Sequence, residues 1–366
     1  MAVLYVFIPA AFVFKFAYRN DTLLFITAAL GIVPLAGLMG HATEGLATRT
    51  GPAVGAFLNA ALGNAAELII ALVALTHNRF EIVQASLTGS IIGNILFILG
   101  LSFLVGGWKR ESQSFNRLAA ESGVGMLYVS VSALSVPSIL VTISHFSPKG
   151  DIPGDKIHAI SIATAFVLLA VYGASLLFTF KTHKHVFTMD EEEEQEVKKV
   201  SMKKIVAMLV TSAALISFLA EFLTGSVEHA AEKLHLPGVF VGVVIVAIVG
   251  NAAEHTAAIM FALKDKMNLA MNIAIESSKQ IALFVAPLLV LVGWATGHHL
   301  SLDFTAMEAA AIAMSVIILA MLVLDGKSNW LEGVMLLAIY AILGIAFYFT
   351  KDMAPIPHGS GAAGHG

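Results

Sequence analysis

Long apolar stretches separated by short polar breaks run the length of the 366-residue chain. A helix needs about 20 apolar residues to cross a bilayer. Eleven stretches reach that length: residues 1–18, 22–47, 53–77, 82–106, 120–144, 157–181, 204–228, 236–262, 267–296, 303–324 and 330–350. The pattern predicts an all-α polytopic membrane protein with eleven transmembrane helices. Residues 182–203 form the one strongly polar interruption and carry the acidic run Asp190-Glu191-Glu192-Glu193-Glu194-Gln195-Glu196. They read as a solvated linker on the membrane surface, or as a cytoplasmic helix that senses a cation or touches the mouth of a pathway. Residues 351–366, rich in glycine, read as a disordered tail.

Two of the apolar segments contain near-copies of one short motif, Gly63-Asn64-Ala65-Ala66-Glu67 and Gly250-Asn251-Ala252-Ala253-Glu254. Sliding the second onto the first without gaps also pairs Arg79 with Lys266, Ser90 with Ser277, Phe97 with Phe284 and Gly106 with Gly293. The match outlasts the motif, so the chain contains an internal repeat. The expected division is an amino-terminal helix at 1–18, a first five-helix repeat at 22–181, the cytoplasmic acidic linker at 182–203 and a second five-helix repeat at 204–350. An odd number of spans per unit makes the second insert upside down, which is an inverted repeat and brings the two glutamates face to face near the midplane.

Composition agrees with membrane insertion and narrows the chemistry. Hydrophobic residues make up 58% of the chain and charged residues 13%, far from a soluble domain of this length. No cysteine is present, which excludes disulfides and thiolate chemistry. A net charge of −4 carries no nucleic-acid signature. Met1–Tyr18 lacks a basic flank and a cleavage site and reads as an uncleaved span. An amino terminus in the cytoplasm, with the carboxy terminus outside, collects Arg49, Lys109, Arg110, Arg117, Lys264, Lys266, Lys327 and the basic residues of the linker on the inner side. The short amino terminus suggests a prokaryotic plasma (inner) membrane, although a vacuolar membrane satisfies the same physics.

A glutamate in the middle of a spanning helix costs roughly 3 kcal/mol on insertion scales, so such a residue ordinarily faces a polar cavity. Each following span brings a second polar cluster to similar depth: Ser90 with Asn94, and Ser277 with Gln280, each pair on one helix face. Glu67 and Glu254, with Asn64, Asn251, Ser90, Asn94, Ser277 and Gln280 in support, make an all-oxygen set suited to a hard cation, calcium best. A carboxyl taken out of water holds a proton until a divalent ion displaces it, so cation and protons compete. If the site opens to one side at a time, competition becomes exchange. The amides and hydroxyls also suit plain interhelical hydrogen bonding, and the small residues suit close helix packing. His255 is a packed residue or a proton relay; Glu44, Glu221 and Glu228, near helix ends, fit a solvated interface or a vestibule. His183, His185, His298 and His299 read as interfacial.

The repeated Gly-Asn-Ala-Ala-Glu, His255 after the second copy, Ser277-Ser278 with Gln280-Ile281-Ala282-Leu283, the acidic linker and the eleven spans together resemble the cation/proton exchanger (CAX) family of the calcium/cation antiporters. The resemblance runs from about Gly31 to Tyr348. It implies a secondary active transporter, not an enzyme, that exports cytosolic Ca2+ in exchange for H+, with no cofactor and with the lipid bilayer as its surroundings. It also implies Glu67 and Glu254 as central ligands and proton carriers and Glu44 as an accessory acid. Sodium-coupled or other cation exchange is the nearest alternative, a cation channel is a second, and an intramembrane hydrolase has no motif here to support it. One departure stands out: Glu276 and Lys279 occupy positions where the family carries neutral residues and where the first copy has Gly89 and Ile92. They form an ion pair with each other, or Lys279 neutralises Glu254 and displaces a divalent ion.

Overall fold

In the computed structural model, residues 2–50, 55, 58, 61–146, 152–179 and 201–349 are described. The acidic run, His183, His185, Lys149, the residues after 349 and most of the first half of the third predicted segment lie outside them.

The elements in chain order are α1 (Phe7–Val13, flanked by the tighter turn Ala2–Val6 and the wider turn Phe14–Tyr18), α2 (Asp21–Ala47), α3 (Ala65–Thr76), α4 (Phe80–Gly107), β1 (Gln113–Ser114), α5 (Arg117–His145) and α6 (Gly154–Leu177). They continue as α7 (Met202–Lys233), α8 (Gly238–Gly250), α9 (Ala252–Leu263), α10 (Met267–Thr296), α11 (Ala306–Leu322), β2 (Lys327–Ser328) and α12 (Trp330–Phe349). Among the described residues, seven helices are long and apolar enough to cross a membrane, or eight when α8 and α9 count as one bent span. Val3–Tyr18, Ala65–Thr76 and Ala306–Leu322 are shorter apolar helices. β1 and β2 pair antiparallel, Gln113 opposite Ser328, and tie the α4–α5 loop to the α11–α12 loop.

Helix starts follow local chemistry. Asn20 accepts from Leu23 N at 3.1 Å, Asn116 from Ala119 N at 3.1 Å and Ser201 from Lys204 N at 3.4 Å, each satisfying one of the amide groups a helix leaves unpaired at its beginning. Thr305 and Glu308 close a reciprocal capping box on α11. Large side chains such as Phe16, Phe146, Val167, Val210, Met321, Ile342 and Phe349 remain exposed on the outside of the bundle, as lipid-facing positions should.

Two features shape the interior. α8 and α9 meet at a 63° bend at Asn251, and helical residues 61–63 likewise stop at Asn64 before α3 begins. α3 and α9 begin and end at residues that the gap-free internal alignment pairs. α4 widens over Gly93–Ile98, which includes Asn94, and α10 over Ile281–Val285, directly after Gln280, at positions the alignment pairs to within one residue. Such widened turns are often associated with functional sites in helices.

Glycine permits the closest helix approach. A Cβ at Gly89 of α4 would lie 2.0 Å from the Val243 carbonyl oxygen of α8, and one at Gly333 of α12 would lie 2.6 Å from the Gly100 oxygen of α4. With lipid as apolar as leucine, such backbone proximity and its van der Waals contact drive helix association. Gly89→Ala is therefore expected to destabilise the protein by about 1–3 kcal/mol through overpacking. Gly37→Ala in α2, where an added methyl meets nothing within 4 Å, is the control. Thermal unfolding in detergent should show a lower midpoint for the first and none for the second.

Candidate ion-binding centre

The two helix breaks place matching groups at the middle of the bundle. Asn64 and Asn251 hold non-helical backbone angles directly before α3 and α9. Each break leaves the next helix with unpaired amide groups at its start, and Glu67 and Glu254 fall in those first turns. The positive end of each half-helix thus lies beside a carboxylate. The Ala247 oxygen accepts from both the backbone N–H and the side-chain Nδ2 of Asn251, at 3.1 and 2.9 Å.

A buried hydrogen-bond network joins the two copies. Asn251 Nδ2 donates to Ser90 Oγ at 2.9 Å, and Asn94 Nδ2 donates to Ser277 Oγ at 2.9 Å and more distantly to Asn251 Oδ1 at 3.4 Å. Asn64 Nδ2 donates to Gln280 Oε1 at 2.6 Å. Ser277 Oγ lies 3.1 Å from Asn64 Oδ1 and 2.7 Å from Glu254 Oε2; its single hydrogen serves one of these acceptors at a time. The sequence groups each motif with the polar cluster of the span that follows it. In the structure each motif asparagine instead bonds the cluster of the opposite copy.

Glu67 reaches the centre from the other side. Gly250 leaves it room: a Cβ there would sit 3.1 Å from Glu67 Cγ. A small cavity beside it is lined by Glu67, Ser86, Ser90, Val246 and Gly250, among others. The motif alone does not single out Ser86 or give Gly250 this part. A serine one turn before Ser90 was the available signal for the first; the second depends on how α3 and α8 cross. Among the described residues no group of three or more His, Cys, Asp or Glu is set to hold a metal, so a cation here would depend on two carboxylates and neutral oxygens.

The remaining candidates take other positions or partners. Glu44 is exposed on the last turn of α2. His255 is buried in α9, its ring 6.0 Å from that of Phe97 and its Nε2 without a hydrogen-bond partner. Lys279 bonds Glu276 Oε1 at 2.6 Å. Of the two roles the sequence left open for this lysine, the structure shows the ion pair and not neutralisation of Glu254. Glu221 and Glu228 on α7 bind the α3–α4 junction, through His77 at 2.8 Å and through Arg79.

Broken helices around a buried, oxygen-rich centre, inside a bundle of membrane-length helices, define a secondary transporter of cations. The chain belongs to the sodium/calcium exchanger protein family, whose pattern matches residues 20–181 and 204–349. It is similar to a Ca(2+)/H(+) antiporter of Synechocystis, 40% identical over 367 residues and covering 96% of this chain and 97% of that one. It is also similar to the vacuolar calcium ion transporter of Schizosaccharomyces pombe, 40% identical over 347 residues with 94% and 83% covered. The solved structure of native YfkE superposes with a TM-score of 0.81 at 35% identity, covering 95% of this chain and 98% of that one. An H+/Ca2+ exchanger CAX shares the fold with a TM-score of 0.71 at 14% identity, covering 95% and 90%.

Asn251→Ala removes a donor from both Ser90 and Ala247 and an acceptor from Asn94. Because these groups are buried, the expected cost is about 1–3 kcal/mol, read as a lower thermal midpoint in detergent.

Proposed function

We propose that the protein exports cytosolic Ca2+ in exchange for H+, by alternating access around the centre formed at the two helix breaks. The observation that carries the reading is the doubled break, each with a glutamate in the first turn after it, joined by a network that crosses between the copies. Relatives described as Ca(2+)/H(+) antiporters, about 40% identical along nearly the whole chain, support the choice of ions.

In this reading Glu67 and Glu254 bind the cation and, in its absence, carry protons. Asn64, Asn251, Ser90, Asn94, Ser277 and Gln280 supply neutral oxygens and hold the two copies in register. Ser277 connects the two states. When a cation takes the Glu254 carboxylate, the serine hydroxyl turns to Asn64 Oδ1, and its own lone pair is freed toward the ion. Glu44, exposed at the end of α2, gathers cations at the mouth, whereas His255 stays outside the ion path.

The proposal includes eleven spans, one amino-terminal helix and two inverted five-helix repeats at 22–181 and 204–350, with an amino terminus in the cytoplasm of a plasma membrane. Its support is that each predicted segment overlaps one apolar helix or the bent pair. The paired boundaries of α3 with α9, and the paired widenings of α4 and α10, support the repeat.

The test is Ca2+ uptake by proteoliposomes under an imposed pH gradient, with a sodium gradient as the competing drive. Proton-driven uptake is expected, falling at least 100-fold in Glu67→Gln and in Glu254→Gln. Uptake driven by sodium alone would transfer the coupling to that ion. Unimpaired transport by both glutamine variants would reduce the paired glutamates to a structural role.

A further inference from the structure

Two histidines from different elements meet at one end of the bundle. His158 lies at the start of the second turn of α6, and His299 lies in the connector between Thr296, which ends α10, and Ala306, which begins α11. His299 Nδ1 stands 3.2 Å from His158 Nε2, with the rings nearly perpendicular at 87° and their centres 4.8 Å apart. His158 is partly buried and His299 exposed. The neighbouring His298 is engaged elsewhere, its Nδ1 lying 3.1 Å from Thr296 Oγ1.

The connector is held in place independently of the histidines. α10 closes at Gly297, whose φ of 79° falls in the left-handed region that suits glycine. Leu302 N donates to Ser161 Oγ at 2.9 Å, one turn beyond His158 on the same face of α6, and Ser138 Oγ of α5 donates to the Leu302 oxygen at 3.2 Å. Gln84 of α4 donates to the Ser301 oxygen at 3.0 Å. Leu300 and Leu302 are buried, and α6 packs along the last part of α10. The two imidazoles are therefore presented to each other by a preformed scaffold, and little ordering remains when both take a common ligand.

As a hydrogen bond the pair is poor. A straight N–H···N bond of this length would set the ring centres farther apart than 4.8 Å, so the contact is bent and correspondingly weak. It also leaves His158 Nδ1 buried without a partner, whichever ring donates. As a pair of metal ligands the spacing is apt: two nitrogens held about 2.0–2.1 Å from one tetrahedral zinc stand about 3.3 Å apart. Imidazole nitrogen suits zinc, copper and nickel, whereas calcium takes oxygen.

We propose that His158 and His299 form a binding site for a divalent transition metal of the zinc type, with water completing the coordination, and that the bound ion clamps α6 to the end of α10. The site uses none of the residues of the oxygen-rich centre, and the inference does not rest on the proposed calcium–proton exchange.

The experiment is equilibrium binding of Zn2+ to the untagged full chain in detergent, with thermal unfolding recorded on the same samples. The wild-type chain should bind zinc saturably and unfold at a midpoint raised by about 2 °C or more, since an ion held by the folded state alone stabilises it. His299→Ala should weaken the tightest binding at least tenfold and abolish the rise, and so should His158→Ala. His298→Ala and Glu254→Gln should keep both. His299 is exposed, so its replacement leaves a folded protein on which the loss is read even where His158→Ala does not fold. A wild-type chain without saturable zinc binding overturns the proposal. So does binding that falls less than tenfold in His299→Ala, or that is lost in Glu254→Gln, results that would put the zinc at other histidines or at the oxygen-rich centre.

Discussion

Everything at the centre of this protein depends on satisfying polar groups where no water is available. A helix broken inside a membrane exposes amides at one end and carbonyls at the other, and those groups must find partners within the protein. Here the breaks at Asn64 and Asn251 place an asparagine side chain at each discontinuity. The Asn251 amide covers a carbonyl of its own half-helix and then bonds Ser90 of the other copy. The same atoms that repair the backbone therefore hold the two halves together, and they leave a glutamate at the positive end of each new half-helix.

Close packing and polarity divide the interior between them. Gly89, Gly100, Gly242 and Gly333 bring helix backbones almost into contact, which excludes lipid and makes the scaffold rigid around the breaks. Gly250 uses the same absence of a side chain differently, giving the Glu67 carboxylate a place to lie. Close-packed interiors deform poorly; the helix geometry departs from regular winding at the wider turns in α4, α8 and α10 and at the bend between α8 and α9. Asn94 lies within the first of these wider turns and Asn251 at the bend.

The two copies are not equivalent, and their difference lies beside the centre. Where one has a glycine fitted against a neighbouring backbone, the other has a carboxylate that binds a buried ammonium. Two like copies supply matching carboxyl, amide and hydroxyl groups and helix ends; the Glu276–Lys279 ion pair is present in the second copy alone.

The sequence by itself determined the membrane class, the doubled motif and the oxygen character of the centre. These rest on local quantities: the length of an apolar run, the identity of residues at a fixed spacing and the cost of a carboxylate away from water. The breaks at Asn64 and Asn251 fall within the doubled motif, where glycine and asparagine weaken a helix. The tertiary structure decided which partner each polar side chain takes. Asn64 bonds Gln280 and Asn251 bonds Ser90, His255 faces Phe97 instead of the centre, and Lys279 turns to Glu276 and not to Glu254. Such choices follow from the crossing and rotation of helices far apart in the chain, and neither composition nor spacing along one helix specifies them.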